Sequence, residues 1–310
     1  MTPWPQLAAR AFYLDYGAGG SLFFYDSLPG AGQAGPVPAP PPVFVLIHGL
    51  GDEADTWRHL IPLLNSRGFR VLAPDLPGFG RSTTSGRINL AAHADAVLKL
   101  IEAACPPGPV FLAGNSMGAA LAEMAALEKP HLVRGLVLID GSIPGGPANP
   151  GFFALAKLLY SRKWYRAFRD NPGAALLSLY PYYADLDAMG EDDKVFLKER
   201  VMARVHSSTQ EEAYFATQRS LVWSFIFPAR YERAIKEYRR KILLLWGDKD
   251  RIVPLSSTEL FRSLNSNIRL NLIEGAGHLP QQEKPVETTG SMADFADSII
   301  DTGVFENKLV

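Results

Sequence analysis

The sequence predicts an α/β protein, a doubly wound and mostly parallel sheet carrying an inserted helical cap. Three observations lead there. From Val43 onward, continuous apolar runs recur between helix-like segments, and runs without polar alternation are the mark of strands buried on both faces. Residues 142–238 interrupt that order with helical spacing and no strand-like run, and 17 of the 33 aromatic residues fall inside them. The expected organisation is therefore a core domain made of 1–141 and 239–310, with 142–238 as its cap.

Each element has a local reason. Ala11–Tyr16 and Leu22–Asp26 flank Gly17, Gly19 and Gly20, which reads as a hairpin. Leu28–Pro42 holds six prolines in fifteen residues and reads as a surface loop, because proline lacks the N–H a helix or central strand needs. The buried strands are Val43–Ile47, Arg70–Ala73, Val110–Ala113, Leu136–Ile139, Lys241–Trp246 and Arg269–Ile273. Between them, apolar residues at helical spacing predict Thr56–Ser66, Asn89–Ala104, Met117–Glu128, Ser256–Leu264 and Pro285–Asp301.

Composition narrows the class of function. The 31 basic and 32 acidic residues leave a net charge of −1, without the positive excess that nucleic acid requires. A single cysteine, Cys105, excludes an internal disulfide and disfavours a cysteine-rich metal site. The histidines show no metal-ligand spacing, so neither metal nor cofactor is expected. No apolar run approaches the length of a spanning helix and the first sixteen residues have no apolar leader core, so the expectation is a cytoplasmic protein with no integral membrane segment.

In open α/β sheets the reactive groups gather beyond the carboxyl ends of the strands. Gly114-Asn115-Ser116-Met117-Gly118 follows one strand and opens a helix, the setting in which a sharp turn lifts a serine to the sheet top. Ser116 then needs a base and a group to orient that base. His278 stands in Gly275-Ala276-Gly277-His278-Leu279-Pro280 after the last strand, and Asp250 in Gly247-Asp248-Lys249-Asp250 after the strand before it. Asp250 is preferred over Asp248, which suits a turn-forming role beside Gly247, and over Asp140, which also ends a strand. An oxyanion hole should combine the Met117 N–H with the Leu50 N–H from His48-Gly49-Leu50-Gly51. His48 reads as a buried brace for that loop, with Gly49, Gly114 and Gly118 as supporting glycines.

Other residues weigh less. Trp57, Asn115 and Leu279 are candidate pocket walls, with core packing equally open for Trp57. His59, His93 and His131 read as surface or capping residues, whereas His206 lies in the insert and is a candidate for facing substrate. Asp75–Ser82 reads as a structural turn at the sheet top. Phe152–Arg169 alternates apolar and basic residues; it reads as a cap helix with a solvated charged side, with contact to a lipid surface as the alternative.

The motifs together resemble those of the α/β-hydrolase fold superfamily, through His48-Gly49, Asp75-Leu76-Pro77-Gly78-Phe79-Gly80-Arg81-Ser82, the Ser116 turn, and the Asp250 and His278 segments. The resemblance spans about Phe12 to Ile300. It implies a Ser116–His278–Asp250 triad and a helical cap after Asp140. Dehalogenase and epoxide hydrolase branches are similar but carry aspartate where Ser116 stands. The chain also partly resembles the meta-cleavage-product carbon–carbon hydrolases, which share Gly-Asn-Ser-Met-Gly but carry tryptophan after the histidine, where Leu279-Pro280 stands here. The expected activity is that of a serine esterase or lipase-like hydrolase acting on small to medium apolar acyl or aryl esters. Carbon–carbon or lactone hydrolysis is the alternative, and a non-catalytic binding protein of the same fold the second. The insert's aromatic surplus is expected to line the apolar site.

Overall fold

The computed structural model describes residues 1–17, 19–28, 40–84, 86–141 and 162–301. Among them, strands β1 (Ala11–Gly17), β2 (Gly20–Asp26), β3 (Val43–Ile47), β4 (Arg70–Pro74), β5 (Val110–Asn115), β6 (Gly135–Ile139), β7 (Lys241–Gly247) and β8 (Ile268–Ile273) form one sheet. Their order is β1-β2-β4-β3-β5-β6-β7-β8. The β1–β2 hairpin is antiparallel and joins β4 antiparallel, while all pairs from β4 to β8 are parallel.

Unbroken apolar runs are explained by two packed faces. In β3, Val43, Val45 and Ile47 enter one core and Phe44 and Leu46 the other. Helices α1 (Leu60–Ser66), α2 (Leu90–Ala104) and α3 (Met117–Glu128) follow β3, β4 and β5. The first lies on the Phe44 face and the other two on the Val45 face. Asn89 caps α2 by accepting from the Ala92 N–H at 2.9 Å, which satisfies one orphan donor of the first turn. The helix expected from Thr56 starts late: Ala54–Trp57 is a 3₁₀ turn and α1 begins at Leu60. Pro62 supplies the reason, since a proline is tolerated in a first turn and not in a helix interior.

Between β6 and β7 the described residues form α4 (Arg162–Ala167), α5 (Pro172–Leu177), α6 (Glu191–His206), α7 (Ser208–Ile226) and α8 (Ala229–Glu237). The described residues after β7 also form α9 (Ser257–Leu264), α10 (Pro280–Glu283) and α11 (Pro285–Ile300). The insert has its own small core of Tyr165, Val201, Val205 and Phe215, and buried Glu211 gathers Arg162, Arg166 and Arg169 at 2.9, 2.9 and 2.6 Å. It is joined to the sheet domain by Arg58–Asp193 at 2.5 Å, Arg200–Glu53 at 3.3 Å and a Tyr183 hydroxyl donating to Gln282 at 2.9 Å. The expectation on the proline-rich loop falls largely outside the described residues, as does the first half, 152–161, of the one on Phe152–Arg169. No helix among the described residues is long and apolar enough to cross a membrane.

From β3 the chain steps to β4 on one side and returns to β5 on the other. That reversal leaves a crevice at the carboxyl ends of β3 and β5, the place where open α/β sheets put their sites.

Candidate active site

Ser116 stands at the end of β5, in that crevice, with φ 55° and ψ −118°. A non-glycine residue rarely adopts this conformation, which costs on the order of 1–3 kcal/mol and persists only where the surroundings enforce it. The enforcement is visible in the flanking glycines. A Cβ on Gly114 would lie 2.1 Å from the Gly118 carbonyl carbon, and one on Gly118 would lie 2.1 Å from the Ile47 oxygen. Helix α3 can therefore press against β3 and β5 only because both side chains are missing. The Ser116 N–H donates to the Ile139 carbonyl at 2.9 Å. Met117 is the first residue of α3, so its N–H has no acceptor within the helix.

The loop after β3 lies beside this turn. A Cβ on Gly49 would sit 3.4 Å from Ser116 Cβ, which brings Leu50 to the same corner, half-buried. His48 is wholly buried; its Nε2 accepts from the Leu76 N–H at 2.9 Å and its Nδ1 faces the Gly49 carbonyl at 2.8 Å. Since Nε2 accepts, Nδ1 carries the proton and donates. Burial pushes the imidazole below its usual range, so His48 is a neutral tie between the loops after β3 and β4. The Asp75–Ser82 turn is closed by ion pairing of Asp75 with Arg81 at 2.7 Å and by the Ser82 hydroxyl donating to the Asp75 carbonyl at 2.6 Å.

His278 and Asp250 meet at the far side of the crevice. His278 Nδ1 lies 2.8 Å from Asp250 Oδ2, and both side chains are almost fully buried. The other carboxylate oxygen accepts from the Ile252 and Val253 N–H groups at 2.7 and 3.1 Å, so Asp250 is held on three sides. Asp248 turns outward, accepting from the Gly275 N–H at 2.7 Å and pairing with Lys249. Asp140 ends β6 with φ 43°, is wholly buried, and accepts from the Gly247 N–H at 2.8 Å; its carboxyl does not bond His278.

Asn115 connects the two halves. It is buried, and its Nδ2 donates to the His278 carbonyl at 3.0 Å and to the Ile139 carbonyl at 3.3 Å. The residue next to Ser116 thus holds the backbone of His278, which corrects its expected place as a pocket wall. For Trp57, left open between pocket wall and core, the structure decides for the core. It is wholly buried in the Phe44-side core and shares that core with Leu60 and Phe111. Leu279 is buried against Tyr183, Leu186 and Leu197 of the insert.

Glu283 was not legible as a site residue. Its carboxylate accepts from the Gly277 and Ala184 N–H groups, each at 2.7 Å, so that one side chain fixes both the His278 loop and the insert above it. The His278 N–H also donates to the Tyr182 carbonyl at 2.8 Å. Five residues after a histidine, an isolated glutamate has no spacing that distinguishes it from a helix-start acid. Of the remaining histidines, His206 and His131 are exposed and His59 reaches Asp193 at 3.0 Å. His93, expected at the surface, is wholly buried against Thr217 at 2.8 Å, and burial pushes it down to about 3.

Among the described residues of the insert, several aromatic side chains are used in packing, while Tyr180, Trp223 and Phe227 are exposed. Tyr165 and Phe215 hold its own core, Tyr231 and Tyr238 join the Val45-side core, and Phe196 stacks edge-on with Trp4. Two approach the crevice. Tyr182 lies 5.8 Å from His278 between ring centres, and Tyr214 sits where a Cβ on Gly51 would meet it at 3.0 Å. Among the described residues no group of three or more histidine, cysteine or acidic side chains is placed to hold a metal ion.

Comparison with known proteins agrees with this architecture. The model of the alpha/beta hydrolase fold matches residues 42–285. The biotin biosynthesis bifunctional protein BioHC of Cellvibrio japonicus is 28% identical over 262 residues, covering 83% of this chain and 48% of that one, so the chain spans about half of that relative. Lipase 3 of Moraxella sp. is 24% identical over 267 residues, 82% of this chain and 77% of its own. A thermophilic esterase from Thermogutta terrifontis superposes with a TM-score of 0.72 at 22% identity, covering 93% of this chain and 98% of that chain. A strained serine between β5 and α3, a buried histidine–aspartate pair at the ends of β8 and β7, and a family match over most of the length lead to one conclusion: this chain belongs to the alpha/beta hydrolase fold family.

Proposed function

We propose that the protein is a serine hydrolase that cleaves carboxylic esters through Ser116, His278 and Asp250. The observation that carries this reading is the strained Ser116 turn set in one crevice with the 2.8 Å His278–Asp250 bond. A serine hydroxyl is a weak nucleophile until a positioned base accepts its proton. With Nδ1 donating to Asp250, the neutral imidazole keeps Nε2 basic. Nε2 takes the Ser116 proton as Oγ attacks the ester carbonyl, and the Met117 and Leu50 N–H groups hold the oxyanion that develops. Each such donor is worth about 3–4 kcal/mol of transition-state stabilisation. His278 next protonates the leaving alcohol, an acyl-enzyme remains on Oγ, and a water deprotonated by His278 releases the acid.

Lipase 3 among the curated relatives supports ester hydrolysis. In this reading the insert is a cap, with Tyr182 and Tyr214 over the crevice, and the apolar surroundings favour small to medium acyl or aryl groups. A chain-length series of p-nitrophenyl esters, acetate to decanoate, tests it beside a dienoate ring-cleavage product. Turnover of esters, with fluorophosphonate labelling abolished by Ser116→Ala, is expected. Turnover of the dienoate alone would move the assignment to carbon–carbon cleavage, and an unlabelled Ser116 would remove it.

A further inference from the structure

Among the described residues, positive φ at a non-glycine position occurs twice, at Ser116 and at Asp140. The strain at Asp140 aims a carboxyl at the base of the site. Its N–H donates to the Leu245 carbonyl at 3.0 Å and its Oδ1 accepts from the Gly247 N–H at 2.8 Å. Both contacts clamp the end of β7, which launches the loop carrying Asp250. Oδ2 is buried and no described donor reaches it, while Gly247, whose N–H Asp140 accepts at 2.8 Å, also accepts the Asp250 N–H at 3.2 Å, so one residue anchors both acids. Asp250 already accepts from the Ile252 and Val253 N–H groups with Oδ1 and faces His278 Nδ1 with Oδ2. Two adjoining carboxyls in a dry site do not both ionise, and sharing one proton resolves the contact.

We propose that Asp140 is held as a neutral carboxylic acid whose Oδ2–H donates to the Asp250 carboxylate, making Asp140 a positioning residue that limits how strongly Asp250 draws on His278. The inference rests on the serine-hydrolase reading of the site. Burial, the Asp250 charge and Glu283 all push the Asp140 carboxyl well above the usual range, against the Gly247 N–H. The groups facing the pair are His278, on Asp250 from the loop after β8, and Glu283 from α10, whose carboxylate is itself occupied by the Gly277 and Ala184 N–H groups. Asp250 donates nothing back, so the proton stays with Asp140.

The substitutions Asp140→Asn and Asp140→Gly separate the possibilities, because both residues accept a positive φ. Asparagine keeps a neutral donor toward Asp250; glycine removes it. The readouts are the pH profile of fluorophosphonate labelling at Ser116 and the downfield proton resonance of His278 Nδ1–H. With Asp140→Gly, Asp250 loses a donor and becomes a stronger acceptor, so the acidic limb should move up by about half a pH unit and the resonance further downfield. With Asp140→Asn both should stay at their wild-type positions. A limb that moves down in Asp140→Asn would mean a negative charge had been removed and would overturn the proposal. So would a glycine variant that overlays the wild type. If Asp140→Gly does not fold, the direction seen with Asp140→Asn decides alone. Failure to label the wild type would instead defeat the hydrolase reading, and the His278 resonance would still report on Asp140.

Discussion

Glu123 lies in α3, wholly buried, and neither carboxylate oxygen has a hydrogen-bond partner among the described residues. Burial pushes its carboxyl well above the usual range. Glu123→Met keeps helix propensity and approximate volume while removing the unsatisfied oxygens, whose burial costs about 1–3 kcal/mol. The pH dependence adds a second component. A carboxyl with a raised folded pKa is protonated in the native chain and ionised in the unfolded one. Its stabilising share is therefore full below the unfolded value and lost as pH rises toward the folded one, at up to about 1.4 kcal/mol per pH unit. Between pH 5.5 and 7.5 the native protein should lose up to about 2.7 kcal/mol through this group, and the methionine variant none. At roughly 2 °C per kcal/mol for a chain of this size, Tm of Glu123→Met should exceed that of the parent by about 2–6 °C at pH 5.5, and the gap should widen by up to about 5 °C at pH 7.5. Differential scanning calorimetry of both proteins at the two pH values reads this directly. Other buried acids such as Glu283 are common to both proteins and cancel in the difference. A variant less stable than its parent, or a gap that does not change with pH, would refute the reasoning.

Ser116→Gly should abolish labelling and ester turnover yet raise Tm by about 2 °C, because glycine adopts φ 55° without the strain that serine bears, less its own backbone entropy; an unchanged or lower Tm would argue that the turn is not strained. Asn115→Ala should take the Asn115 donor from the His278 carbonyl, while the Ile139 carbonyl keeps the Ser116 N–H, lowering stability by about 1–3 kcal/mol and kcat at least tenfold through a displaced His278. Steady-state kinetics with a short-chain ester checks it, and full kcat in a folded variant would show that Asn115 does not hold the site.

Much of the architecture was readable because its causes are local. A strand covered on both faces must be apolar at every position, so β3, β5, β6 and β7 declared themselves, and the glycines around Ser116 announced a turn that side chains would block. The positions of His278 and Asp250 followed from the rule that parallel strands place chemistry at their carboxyl ends. Legibility failed where a residue's role depends on what another segment brings to it. Trp57 and His93 carry the same side chains in a core as in a pocket or on a surface. Only the enclosure of Trp57 in the Phe44-side core, and the contact of Thr217 with His93, assigns them. Asn115 and Glu283 act on backbone groups up to 163 residues away, and no spacing encodes such a distance. The aromatic surplus of the insert was visible as composition, yet its division between packing and crevice was not. The sequence by itself thus determined the strands, their order of chemistry and the residues beyond their ends, since those follow from periodicity and local sterics. The tertiary structure alone decided which buried polar groups face one another, and so which acid bonds His278, because burial and hydrogen bonding are properties of neighbours that only folding supplies.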